Sequence, residues 1–148
     1  MTINIILGFI IPWIFGIWLF NRDKKIVLII MPFTSIVAHT VNSFGFTLKF
    51  WMLKPFELHT FSALPFDLGL FALLGCAFIY IVKNKKVNPY ILIFIFALLI
   101  TIMEYIGVSL GYVKYGNGWN IIYTYFSYLI PFAIVYWYYL GLKKLNVF

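Results

Sequence analysis

The chain has 148 residues, of which 64% are hydrophobic, 22% aromatic and only 10% charged. This composition lies far outside the range of soluble domains and indicates an integral membrane protein. The formal net charge of +7 does not indicate nucleic-acid binding, because such an interface needs basic residues on a soluble surface.

Five apolar segments follow one another along the chain. A span needs roughly 20 apolar residues, and the segments cover about residues 3–20, 26–45, 66–82, 89–112 and 121–141. Open strand edges cannot be satisfied in lipid, so the segments predict an all-α bundle of five spans forming one transmembrane domain over residues 1–148. The first segment has neither a basic n-region nor a small-residue cleavage site, which favours a retained helix.

The basic residues predict the orientation of these spans. Those in the first loop, in the third loop and after the last span share one face of a five-span bundle: Arg22, Lys24, Lys25, Lys83, Lys85, Lys86, Lys143 and Lys144. The opposite face has Lys49, Lys54 and Lys114. Since Lys and Arg near span ends are retained in the cytoplasm, we expect a multi-pass protein of the cell membrane with its N-terminus outside.

Two loops on the outer side are rich in aromatic residues. Residues 46–65, which include "TLKFWMLKPFELHTFSALP", are too apolar for a solvated linker and predict an interfacial segment. That segment is either an aromatic belt in the headgroups or a lid over a site. The loop "YVKYGNGWN", residues 112–120, contains a turn signal, and its Tyr112, Tyr115 and Trp119 are typical of an outer belt.

Polar side chains within the spans fall at a similar depth. Counting from the cytoplasmic helix ends at about 1.5 Å per residue places His39, Asp67, Glu104 and Ser127 at about 20–22 Å. Asn42 extends the face of His39, and Tyr123 belongs to an outer aromatic cluster with no settled role. The candidates for binding a ligand in this outer polar layer are therefore Glu104, His39, Asn42, Asp67, Ser127 and Tyr123.

Glu104 is the most unusual of these residues, because an ionised carboxylate at that depth costs about 2.5–3.5 kcal/mol on insertion scales. It should be neutral, paired or hydrated, and His39 is the expected partner. The alternative for both is a structural hydrogen bond between helices. For Asp67 the alternative is a first-turn acid stabilised by its helix dipole, and Asn42 and Ser127 are also compatible with packing. Gly107 and Gly111, one turn apart, predict a close helix contact.

The C-terminal half resembles a family of small, uncharacterised five-helix membrane proteins from spore-forming Firmicutes. The resemblance rests on "MEY" late in the fourth span, the loop "GNGWN" and a last helix opening "IIYTYFSYLIPF". The stretch "EYIGVSLGYVKYG" is more faintly similar to membrane-bound carotenoid hydratases and cyclases, which are larger and carry more acidic positions. The matching residues are Glu104, Gly107, Gly111, Tyr115 and Gly116. This second resemblance implies acid–base chemistry on an isoprenoid.

Three functions remain open. We favour a ligand-binding or transport-related module or subunit that takes a small or amphipathic ligand in the outer half of the bundle. The first alternative is an intramembrane enzyme in which Glu104 exchanges a proton with an apolar isoprenoid or lipid, with His39 or Asp67 as its partner. The second is a structural partner protein. No cofactor, metal site or nucleic-acid partner is predicted, whereas the lipid bilayer and a second copy or partner membrane protein are expected partners.

Overall fold

Five helices in the structure are long and apolar enough to cross a membrane, and this confirms the expected all-α class and helix count. The structure is a computed structural model that describes residues 1–148. The helices are α1 (Thr2–Arg22), α2 (Ile26–Thr47), α3 (Phe56–Asn84), α4 (Pro89–Ser109) and α5 (Ile121–Lys144). The protein is therefore an all-α protein with five candidate membrane spans.

The connections divide the bundle into two ends. At one end, called the ribbon end after the short β-ribbon described below, the Asn4 side chain of α1 donates hydrogen bonds to the carbonyl oxygens of Lys54, at 2.7 Å, and Ser62, at 2.8 Å. At the opposite end, called the basic end after the eight Lys and Arg residues expected on that face, Lys83 Nζ lies 2.5 Å from an oxygen of Asp23. This ion pair joins the end of α3 to the loop between α1 and α2. The chain thus runs up and down five times between these ends.

A small antiparallel ribbon closes the first of these ends. Strand β1 (Trp51–Leu53) pairs with β2 (Val113–Tyr115) so that Trp51 lies opposite Tyr115. The ribbon was not expected from the sequence, because three-residue strands are too short for an alternating pattern to stand out. The residues expected to lie in the interface as one segment are thus partly a paired strand.

Two of the helix boundaries that differ from the expected spans lie near the ribbon. Helix α4 ends at Ser109, three residues earlier than expected, because Gly111 adopts a left-handed backbone with φ of 70°. Helix α3 begins earlier than expected, with a 3₁₀ turn over Phe56–Ser62 and a short α-helix over Leu64–Leu68. After a break at Gly69, it continues regularly to Asn84.

The close contact between small residues occurs at a different place from the one expected. A Cβ atom added to Gly69 would lie 2.1 Å from the carbonyl oxygen of Gly8, so the backbones of α1 and α3 meet there. The expected contact through Gly107 and Gly111 is wrong. A Cβ on Gly111 would meet nothing within 4 Å, and one on Gly107 would meet the side chain of Val113 in β2.

The hydrophobic core occupies the half of the bundle nearer the basic end. Helix α3 packs against each of the other four helices there. Its Phe78 is fully buried, and its ring meets those of Phe96 and Phe132 edge-on at centroid distances of 5.7 and 5.6 Å. The spans contain two acidic side chains, Asp67, which is fully buried, and Glu104, which is partly buried, and both lie outside this core, toward the ribbon.

Candidate functional site

Glu104 accepts hydrogen bonds from three hydroxyl groups. Its Oε1 lies 2.7 Å from the Tyr115 hydroxyl and 3.1 Å from Thr124 Oγ1, and its Oε2 accepts from the Tyr128 hydroxyl. Tyr115 is the last residue of β2, whereas Thr124 and Tyr128 lie one turn apart on α5. The carboxyl group of α4 is thus held by neutral donors from two other elements.

The first turn of α5 is arranged so that Thr124 faces this carboxyl group. Asn120 caps the helix, since its side-chain oxygen accepts from the backbone N–H of Ile122 at 2.9 Å. Thr124 is almost fully buried, and its hydroxyl oxygen accepts from Trp119 Nε1 at 2.9 Å. Trp119, Thr124 and Glu104 therefore form one hydrogen-bonded series.

Tyr115 remains a neutral donor in this network. Burial raises the pKa of its hydroxyl well above the ordinary value, and the neighbouring Glu104 carboxylate raises it further. Both causes disfavour the phenolate, so Tyr115 keeps the proton that it donates to Glu104.

Asp67 forms a second network about the start of α3. Its side chain is fully buried, with Oδ2 lying 3.0 Å from His39 Nδ1 and Oδ1 accepting from Asn42 Nδ2 at 2.6 Å. His39 and Asn42 are three residues apart on α2, so both project from one helix face. Trp51 Nε1 donates to the Asn42 side-chain oxygen at 3.1 Å. Thus a tryptophan of the ribbon reaches this carboxyl group too, through one intervening side chain.

The expected pairing of Glu104 with His39 is wrong. His39 pairs with Asp67, while Glu104 takes its hydrogen bonds from β2 and α5. Counting residues along a helix gives the depth of a side chain in the bundle but not the direction in which it points about the bundle axis. In the structure α4 packs mainly on α5, whereas α2 packs on α3. Asp67 does lie in the short α-helix Leu64–Leu68 near the start of α3, as the helix-dipole alternative requires, but its side chain is hydrogen-bonded to Asn42 of α2.

Two further candidates lie outside both networks. The Ser127 hydroxyl donates to the carbonyl oxygen of Thr124 on its own helix, at 2.7 Å. Tyr123 is 52% exposed, and its ring packs against Trp119 at a centroid distance of 5.6 Å. Four of the six candidates, namely Glu104, His39, Asn42 and Asp67, therefore belong to one of the two networks.

Five residues of the two networks were not among the candidates from the sequence: Trp51, Tyr115, Trp119, Thr124 and Tyr128. Three of them come from the ribbon and loops, where a belt function explained their aromatic character equally well. The signal that could have singled out Tyr128 is its spacing from Thr124 on the polar face of α5.

A small cavity touches both networks on the side of the hydrophobic core, and neither Asp67 nor Glu104 lines it. It encloses about 40 Å³, and its mostly apolar wall includes Asn42 from the Asp67 network and Tyr128 from the Glu104 network. One water molecule needs roughly 10–15 Å³ of such volume. The cavity can therefore hold a few water molecules or a small ion, but not an organic ligand of ordinary size.

An aromatic lid covers this layer at the ribbon end. It consists of Phe50, Trp51 and Trp119, with the rings of Phe50 and Trp119 stacked at a centroid distance of 4.7 Å. Trp51 packs on Gly45 of α2, where an added Cβ atom would lie 2.0 Å from the indole ring. Of the two interpretations of the interfacial segment, the lid describes this geometry better than a free aromatic belt.

The arrangement contains no group of three or more His, Cys, Asp or Glu side chains placed to hold a metal ion. Comparison with known proteins gives no family: no protein-family model, curated protein or solved structure matches the chain. The resemblances drawn from the sequence remain predictions, and the chemistry of the site follows from its own residues.

Proposed function

We propose that the protein is a small ligand-binding module, related to transport, whose ligand is a proton or a monovalent inorganic cation. The site is the polar layer formed by the Asp67 and Glu104 networks, together with the cavity that touches both of them. The observation that carries this proposal is that two carboxyl groups lie inside the bundle with no Lys or Arg in contact with either.

Electrostatics explains why this arrangement favours a cation. An ionised carboxylate at membrane depth costs about 2.5–3.5 kcal/mol on insertion scales, and the hydroxyl groups around Glu104 offset only part of that cost. A bound proton or cation removes the excess charge. Asp67 has the His39 imidazole beside it at 3.0 Å, whereas Glu104 has no basic side chain beside it.

The size of the cavity supports a small ligand. Sites for organic ligands usually enclose about 300–1,000 Å³, far more than the 40 Å³ found here. An isoprenoid or lipid substrate would need a much larger opening, so we favour binding over the alternative of an acid–base enzyme. In the orientation predicted from the basic residues, the lid faces the outside of the cell membrane and the ligand reaches the layer from there.

The proposal can be tested on the purified full-length chain. Thermal unfolding in detergent is measured against pH and against added Na⁺ and K⁺, with choline as a bulky control cation. A ligand that binds the folded state raises stability by about 2.7 kcal/mol at a hundredfold excess over its Kd. The same preparations are reconstituted in liposomes containing a pH-sensitive dye, in which cation or proton flux follows an imposed gradient.

The four acidic residues of the chain supply matched controls. Glu104→Gln and Asp67→Asn should abolish the flux and the ligand-dependent stabilisation. Glu57→Gln should leave both unchanged, because Glu57 is exposed at the start of α3. If wild-type stability does not respond to any cation or to pH and no flux is found, the structural-partner alternative is favoured instead.

A further inference from the structure

Two lysines near the end of α5 are not used within the fold. Lys83 is paired with Asp23, and Lys25 Nζ donates to the carbonyl oxygen of Val147 at 2.9 Å. Lys143 and Lys144, in contrast, form no ion pair and are both exposed. The basic end therefore presents two free ammonium groups side by side in the last turn of a membrane helix.

These lysines border a groove on the surface of α5. The groove is open to its surroundings, has a volume of about 530 Å³ and is lined by Trp137, Leu140, Gly141, Lys143 and Lys144. Residues 137, 141 and 144 follow the spacing of a single helix face. Gly141 forms the floor, since a Cβ atom there would meet nothing within 4 Å. Trp137, with 62% of its surface exposed, stands beside the gap.

We propose that this groove binds the phosphate headgroup of an anionic phospholipid. The two lysines provide charge complementarity for the phosphate, and basic residues near a membrane surface attract anionic lipids. Trp137 and Leu140 provide an apolar wall for the upper part of an acyl chain. Tryptophan is typical of the headgroup level of the bilayer, which is where the last two turns of a spanning helix lie.

Other functions of these residues do not account for the groove. Lysines in the last turn also stabilise the negative end of the helix dipole, but that effect requires neither a gap at Gly141 nor an exposed indole beside it. A soluble phosphate would use the lysines alone, whereas part of this lining is apolar. The groove lies at the opposite end of the bundle from Asp67 and Glu104, so the proposal is independent of the proposed function.

The experiment measures lipid binding to the full-length chain by native mass spectrometry, with phosphatidylglycerol and phosphatidylcholine titrated separately into detergent micelles. The wild-type chain should retain phosphatidylglycerol more strongly than phosphatidylcholine. Replacing both groove lysines, Lys143→Gln with Lys144→Gln, should weaken phosphatidylglycerol binding roughly tenfold or more. The matched control, Lys85→Gln with Lys86→Gln, removes the same charge from the same end outside the groove and should retain binding.

A second variant separates the shape of the groove from its charge. Gly141→Leu keeps both lysines and fills the floor of the groove, and the open space at Gly141 lets the chain fold normally. It should also weaken phosphatidylglycerol binding, and its melting temperature should not fall below that of the wild type, since leucine is a better helix former than glycine. If the double lysine variant fails to fold, the binding measured for Gly141→Leu tests on its own whether the lipid occupies the groove.

Three results would overturn the proposal. Equal losses in the two lysine pairs would indicate diffuse charge attraction without a site. Unchanged binding by Gly141→Leu would show that the groove is not occupied. Competition by inorganic phosphate at the same concentration as the lipid would identify a soluble anion as the ligand and would exclude the lipid headgroup.

Discussion

Trp51 and Trp119 lie in contact, with ring centroids 5.0 Å apart, and their indole N–H groups enter different carboxyl networks. Trp51 donates to Asn42, which bonds to Asp67, while Trp119 donates to Thr124, which bonds to Glu104. The two indoles are therefore a direct physical connection between the networks of Asp67 and Glu104. A movement of the lid would disturb both networks together.

This connection predicts energetic coupling between the two tryptophans. Trp51→Phe and Trp119→Phe should each lower stability by about 0.5–1.5 kcal/mol, since each removes one hydrogen bond. The double variant should deviate from additivity by about 0.5–3 kcal/mol because the rings touch. Thermal unfolding in detergent measures all three. Trp137→Phe combined with either variant serves as the control and should be additive, since Trp137 lies at the basic end.

A glycine substitution tests the position of the lid. Gly45→Ala should lower stability by about 1–3 kcal/mol, because the new methyl group would force the Trp51 indole away from α2. Gly141→Ala is the matched control, since its methyl group enters open space and a helical alanine is better than glycine by up to about 1 kcal/mol. Tryptophan fluorescence should change in the first variant and not in the second. Equal stability of the two variants would contradict the packing of Trp51 on Gly45.

Part of this site is readable in the amino-acid sequence. Rise per residue is constant along a helix, so the common depth of Asp67, Glu104 and His39 follows from counting residues along each span. Which of these side chains meet depends on the rotation of each helix about its axis and on which helices are neighbours. The hydropathy of the sequence reports neither of these. The expectation that Glu104 meets His39 failed for that reason.

The lid was harder to predict than the spans. Tyr115 and Trp51 are placed by a ribbon of three-residue strands, and Trp119 by the turn that precedes α5. Aromatic residues in such loops are also typical of a membrane belt. Only the pairing of two loops distant in sequence, which no local pattern encodes, turns their polar atoms toward the carboxyl groups.

The corrected partners of His39 can be tested by double-mutant cycles. His39→Gln and Asp67→Asn should show a coupling of about 0.5–3 kcal/mol, since the two side chains are hydrogen-bonded. His39→Gln and Glu104→Gln should be nearly additive, because the two residues belong to different networks. Thermal unfolding of the single and double variants in one detergent provides the comparison. A larger coupling for the second pair would restore the partnership expected from the sequence.

The orientation of the bundle can be tested by cysteine labelling. Lys85→Cys and Lys144→Cys lie at the basic end and should react only from the cytoplasm, because basic loops are retained there. Lys49→Cys and Lys114→Cys lie at the ribbon end and should react only from outside. The native Cys76 is buried and should remain unlabelled. Reaction of Lys85→Cys and Lys144→Cys from opposite sides would contradict the number of spans.

The protonation of Glu104 can be tested by comparing two substitutions of nearly the same size. If the resting protein carries a proton on this carboxyl group, the group donates that proton to one of the surrounding hydroxyl oxygens and accepts from the others. Glu104→Gln then keeps both the shape and one N–H donor in its place. Stability should then change by less than about 1 kcal/mol. Glu104→Leu instead leaves the Tyr115 and Tyr128 hydroxyl groups without their acceptor, at about 1–3 kcal/mol for each group left unsatisfied. Thr124 keeps the Tyr115 oxygen as an acceptor at 2.9 Å.

Both variants should be measured by thermal unfolding near neutral pH, alongside Glu57→Gln as the control for loss of an exposed acid. We expect the stability of Glu104→Gln to be close to that of the wild type, and the stability of Glu104→Leu to be far lower than both. If Gln is as destabilising as Leu, the group is ionised at rest, since an amide cannot replace a carboxylate that accepts from three donors. The bound species beside Glu104 would then have to be a cation other than a proton, and stability in salt-free buffer would fall until Na⁺ or K⁺ was restored.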